Sequence, residues 1–250
     1  MLESVLDAAS LVFVMGSLLS VAAVVRFRPS ECRLVAEAAL PVGLAGFLIG
    51  VISMLAAEYN RDQIAPAVAI AILTLVYTGI VRLLFLDSLN QNLLGARSVV
   101  GKAAGTGGVI IMLTWATTSV SPDGLAMFWY PQVAMVMTGV GLLVFLIGRL
   151  FHEGYATDWA KKILGLGWLG FSMGIVAALS QLSTPTTLGP ALAFSFISLL
   201  YSTVAVTLGL IWIPQAMTSE KGSLSLGLDQ ILPIAVAVLA VLVGLTVSLQ

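Results

Sequence analysis

The sequence predicts an all-α, polytopic membrane protein of about eight transmembrane helices arranged as two parallel four-helix repeats. Three observations predict this. Hydrophobic residues make up 59% of the 250 residues and charged residues only 9%, where an ordinary soluble domain carries roughly 25% charge. Apolar stretches of about 20 residues, the length needed to cross a bilayer, recur along the whole chain. The chain also matches itself at an offset of 124 residues: between Ala36–Tyr77 and Ala160–Tyr201 there are 12 identities in 42 gapless pairs. About four would arise by chance at this composition, so a tandem duplication is expected, with its cut near residue 125.

The spans are expected at 5–25, 35–57, 64–86, 103–121, 126–148, 162–182, 188–213 and 230–249. Backbone polar groups must be satisfied inside each segment in lipid, and runs this long and uniformly apolar are helices rather than tilted barrel strands. The first run lacks a basic leader and follows Glu3 and Asp7, so it reads as a retained helix and not a secretory signal. The second span carries Gly43, Gly46 and Gly50, and its counterpart, the sixth, carries Gly167, Gly170 and Gly174. Spacings of three and four put each set on one helix face, where missing side chains let another helix approach closely. The third and seventh spans are each expected to start at a proline, Pro66 and Pro190, because the missing N–H costs nothing in a first helical turn. The fourth span returns the chain to the side where it began. Trp129 and Tyr130, ahead of Pro131, suit an interfacial anchor at the start of the fifth span. The eighth span is the expected copy of the fourth. The repeats are therefore 1–125 and 126–250.

Basic residues set the orientation. With the N-terminus outside, ten of the eleven Lys and Arg fall in or beside loops on one side, Arg61 being the exception. The positive-inside rule then places both termini on the extracytoplasmic side of the membrane. Cys32 is the single cysteine, which excludes an intramolecular disulfide.

Few polar residues fall inside the third and seventh spans, and they correspond: Thr74 with Ser198, Tyr77 with Tyr201, Thr78 with Ser202. Hydroxyls at i, i+3 and i+4 share a face and could line a polar path, or could bond across or back along the helices. No carboxylate falls near the middle of a span; Glu37, Asp87 and Asp229 come closest. Intramembrane acids are the usual mark of an ion path, so a complete path is not expected from this chain alone. His152 is the single histidine, with Glu153 and Asp158 nearby, too few ligands for a metal site. No nucleotide fingerprint and no nucleophile–base pattern is present. Neither enzymatic chemistry nor a cofactor is expected.

The stretch Leu40-Pro-Val-Gly-Leu-Ala-Gly-Phe-Leu-Ile-Gly50, followed by Ile64-Ala-Pro-Ala-Val-Ala-Ile-Ala-Ile72, resembles the glycine-rich penultimate span and alanine-rich last span of the MotA/TolQ/ExbB proton-channel family. Leu164-Gly-Leu-Gly-Trp-Leu-Gly-Phe-Ser-Met-Gly174 and Leu188-Gly-Pro-Ala-Leu-Ala-Phe-Ser-Phe196 repeat the likeness. The resemblance covers about 50 residues of each half, and the order of the spans agrees with it. It implies a subunit of an ion-driven, proton-type channel or motor assembly, a homo-oligomer acting with a single-span MotB/TolR/ExbD-like partner that supplies the membrane carboxylate. The chain departs from the family pattern at Phe47 and Phe171, where the family has threonine. It departs again at Ile70, Leu75, Phe194 and Leu199, where the family's last span has a glutamate and a threonine. The large cytoplasmic region of the family is also missing between the first two spans. Two rival expectations follow: a non-conducting structural membrane subunit of the same descent, and a small-solute carrier with its site between parallel repeats.

Overall fold

The computed structural model describes residues 7–28, 32–56, 61–85, 98–120, 124–151, 159–179 and 185–212. Seven α-helices form over them: α1 (Ala8–Val24), α2 (Cys32–Ala56), α3 (Arg61–Leu84), α4 (Val99–Val120), α5 (Pro131–Phe151), α6 (Trp159–Leu179) and α7 (Pro185–Trp212), with a short 3-10 turn at Gly124–Phe128 before α5. No strand occurs among the described residues. The expected eighth span, His152, Glu153, Asp158, Asp87 and Asp229 lie outside them, as do the side chains of Ile70 and Phe194.

Three of these helices contain stretches long and apolar enough to cross a membrane: Cys32–Leu55, Val99–Ser119 and Ser195–Trp212. The 25 residues of α2, rising 1.5 Å each, make a rod of about 37 Å, longer than the roughly 30 Å hydrocarbon core. Asp7 caps α1, its carboxylate accepting the Ser10 N–H at 2.7 Å, so one orphan amide of the first turn is satisfied.

Two helix starts differ from expectation. Pro66 and Pro190 are not in first turns, because α3 begins at Arg61 and α7 at Pro185. Each proline is the sixth helical residue, so its missing N–H removes one bond from the ladder close to the helix end, and the helix still extends by more than a turn ahead of it. Cys32 opens α2. Pro41 lies within α2, and the helix continues through it.

The bundle is organised around α2. It packs most extensively on α3, then on α7, and also on α1; α6 packs on α7, and α4 lies chiefly on α1. Arg61 at the start of α3 apart, the helix ends that carry basic residues gather at one end of the bundle. There, a Cβ on Gly101 in α4 would stand 3.2 Å from the Val24 carbonyl at the end of α1, and Lys102 donates to the Trp212 carbonyl of α7 at 3.3 Å. Gly209 near the end of α7 faces the Trp159 ring that opens α6. The core is aliphatic and aromatic, with Leu34, Leu44, Leu48, Ile52, Phe196, Ile197 and Leu199 fully buried.

Candidate functional site

Each hairpin, α2–α3 and α6–α7, closes along a seam of glycines against hydroxyls. In the first, a Cβ on Gly43 would collide with the Thr78 hydroxyl and lie 2.9 Å from its Cβ. A Cβ on Gly46 would meet Thr74 Cγ2 at 2.8 Å and the ring of Phe13 at 2.8 Å. In the second, Gly167 faces Ser202, Gly170 faces Ser198 at 2.8 Å, and Gly174 faces the backbone of Ser195, whose Cα lies 2.8 Å from the position of an added Cβ. Real Cβ atoms essentially never come this near, so glycine is required at these five positions for the helices to pack as they do. Gly50 is buried on the same face of α2.

The two seams correspond residue by residue at the offset of 124. Thr78 and Ser202 oppose the first glycine of each motif, and Thr74 and Ser198 the second. The helix preceding each hairpin adds one more pair, since Phe13 of α1 stands over Gly46, and the sulfur of Met137 in α5 would lie 3.5 Å from a Cβ on Gly170.

Within the seam the hydroxyls serve their own helices first. Thr74 donates to the Ala71 carbonyl at 2.8 Å with the Gly43 carbonyl at 3.4 Å, and Ser198 donates to the Ser195 carbonyl at 2.8 Å with the Gly167 carbonyl at 3.2 Å. Thr78 donates to Thr74 and Ser202 to Leu199, each at 2.8 Å. All four side chains are buried. A hydroxyl in an apolar helix gains most from a nearby i−3 or i−4 carbonyl, and here the facing glycine carbonyl gives a second, longer acceptor across the hairpin.

Tyr77 and Tyr201, which match at the offset of 124, are both half-buried. Tyr201 ties down the connection between α4 and α5. Its hydroxyl donates to the Phe128 carbonyl at 2.7 Å and accepts from the Tyr130 N–H at 3.0 Å. Trp129 beside it is exposed.

Thr74 also borders a small cleft of about 20 Å³ that α1, α2 and α4 complete through Ser10, Phe13, Gly46, Ile49, Trp115 and Ser119. That is room for about one water.

One charged cluster escaped the sequence reading. Glu37 is 3% exposed and Arg82 8% exposed. Arg33 donates through Nε to Glu37 Oε1 at 2.7 Å, and Arg82 at the end of α3 interacts electrostatically with the same carboxylate. Burying a carboxylate this deeply requires charged or hydrogen-bonding partners. The separation of 45 positions between Glu37 and Arg82 hid the contact, although the residues at an offset of 124 gave a signal: Lys161 and Val206 stand there, so the cluster belongs to the first half alone. No group of three or more metal-ligating side chains occurs among the described residues.

Comparison with protein-family models, with curated proteins and with solved structures finds no match.

Proposed function

We propose that this chain is a non-enzymatic subunit of the inner membrane, built from two parallel four-helix repeats, that forms the scaffold of an ion-driven assembly of the MotA/TolQ/ExbB type. In this reading the ion is a proton, and the ionisable group sits on a single-span MotB/TolR/ExbD-like partner. The observation that carries the proposal is the seam of glycines against hydroxyls, repeated at the same offset in both hairpins. The hairpin is the part that resembles the family, and its close packing is what the shared glycines provide. A rod-like α2 buried along almost its whole length suits a structural centre more than a surface element. The gathering of basic helix ends at one end of the bundle supports an orientation with both termini extracytoplasmic.

Thr74 is the hydroxyl of the glycine seams that also borders the cleft, where Ser10 and Ser119 stand with it, and so it is the seam residue placed to meet an ion or its water. The test is proton flux in proteoliposomes holding the complex purified from native membranes, with Thr74→Val and Ser198→Val combined. Loss of flux with an intact complex supports the proposal; unchanged flux removes both hydroxyls from the path.

A second reading, a non-conducting subunit of the same descent, is favoured by one observation. Phe47 and Phe171, which replace the family's threonine, are buried in the core, and Phe171 is stacked on Trp168 at 5.2 Å and packed against Phe196 at 5.0 Å. Aromatic packing of this kind keeps the neighbourhood of the second seam dry.

A further inference from the structure

The two hairpins correspond in sequence and in their seams, yet they are not equally covered. Among the described residues α7 packs extensively on α2, and α3 makes no comparable packing on α6. Since α7 is the counterpart of α3, and α2 of α6, one interface between hairpins is made inside the chain, and one homologue of each of its two faces is left over.

Burial follows this asymmetry closely. On α2, Ala45, Leu48, Ile49 and Ile52 are buried, whereas the corresponding Leu169, Ser172, Met173 and Val176 of α6 are exposed; Ile49 is 2% exposed and Met173 74%. On α7, Phe196, Leu200 and Thr203 are buried, whereas the corresponding Ile72, Val76 and Gly79 of α3 are exposed or open, with nothing within 4 Å of a Cβ built on Gly79. Leu200 is 4% exposed and Val76 44%. Exposure of apolar side chains to lipid would by itself need no explanation. The informative point is that the exposed residues are the equivalents of those covered where the hairpins meet.

We propose that a second copy of this chain docks there, the α3 face of one copy on the α6 face of the next, repeating between chains the packing of α7 on α2. The two faces differ, so the contact is heterologous. Copies therefore join head to tail and close into a ring when the rotation allows. Such a ring holds two hairpins per chain, an even number in all. The inference rests on the correspondence of the hairpins and stands whether or not the assembly conducts an ion.

The register follows if the two hairpins stand at equal depth, as parallel repeats would: Gly46 opposite Thr74 and Gly170 opposite Ser198 then put Val76 level with Leu169, and Ile72 level with Met173. The experiment co-expresses two differently tagged full-length copies, both carrying Cys32→Ser, one with Val76→Cys and the other with Leu169→Cys, and oxidises them in native membranes. Ile72→Cys with Met173→Cys is the second pair, and Leu19→Cys in both copies, on the exposed face of α1, is the control. The expected result is a disulfide-linked dimer bearing both tags for each mixed pair, well above the control, and little product when both copies carry Val76→Cys. Mixed pairs at the level of the control overturn the proposal. So does preferential Val76–Val76 linkage, or cross-linking of the α3 cysteine to residues 213–250 or to a different protein.

Discussion

The hydroxyl of Ser198 lies 3.2 Å from the carbonyl of Gly167, across a hairpin in which 31 residues separate the two. The same separation brings Thr74 to Gly43 in the other half, at 3.4 Å. Chemistry and spacing agree although one position holds threonine and the other serine. The constraint on this position is therefore a small side chain with a hydroxyl facing a glycine backbone.

Filling the seam should separate the hairpin helices. Gly174→Ala places a Cβ against the backbone of Ser195, which cannot swing aside as a side chain could. A loss of about 1–3 kcal/mol is expected, the usual cost of overpacking, read as a lower midpoint of thermal unfolding in mild detergent. Gly165→Ala meets nothing within 4 Å and should leave the midpoint unchanged or raise it, since alanine is favoured over glycine in a helix by about 1 kcal/mol. Equal losses for the two variants would remove the seam from the account.

The buried cluster of the first half predicts an asymmetry between corresponding residues. Glu37→Gln leaves Arg82 buried without a full negative charge nearby, and breaking such a cluster costs on the order of 3 kcal/mol. Lys161→Gln alters an exposed residue at the corresponding position, and should change stability by less than about 0.5 kcal/mol. A double-mutant cycle of Glu37→Gln with Arg82→Val isolates the interaction; additive losses would show that the two groups do not act together.

Tyr201→Phe removes one donated and one accepted bond from the connection between α4 and α5. The helices should persist, with a loss of about 1–3 kcal/mol and faster proteolysis between residues 120 and 131. Protease resistance equal to that of the parent would mean that the connection is held by packing alone.

Much of this architecture was legible in the sequence, for identifiable reasons. The seven described helices fall where apolar runs of about 20 residues fall, because in a chain this poor in charge the breaks between runs are sharp. The glycine faces were legible because spacings of three and four define a helix face, and their recurrence after 124 residues marked them in both halves. Pro66 and Pro190 misled, because a proline near a helix start does not identify the start itself. The contact of Glu37 with Arg82 was hidden by its length in sequence. Tyr77 and Tyr201 align, yet the bonds of Tyr201 go to the connection that joins the halves, and a repeat alignment is silent about that. The pairing of α2 with α7 was equally hidden, because a match between two stretches of sequence states which faces are alike and not which of them meet.

The most direct test of the proposed role is to purify the tagged chain from its native membrane in mild detergent and identify by mass spectrometry what accompanies it. The account predicts a single-span protein with a carboxylate within its membrane helix, in constant proportion to the chain. Recovery of the chain alone or only with itself, under conditions that keep complexes of the resembling family intact, would contradict it and leave a non-conducting scaffold as the function.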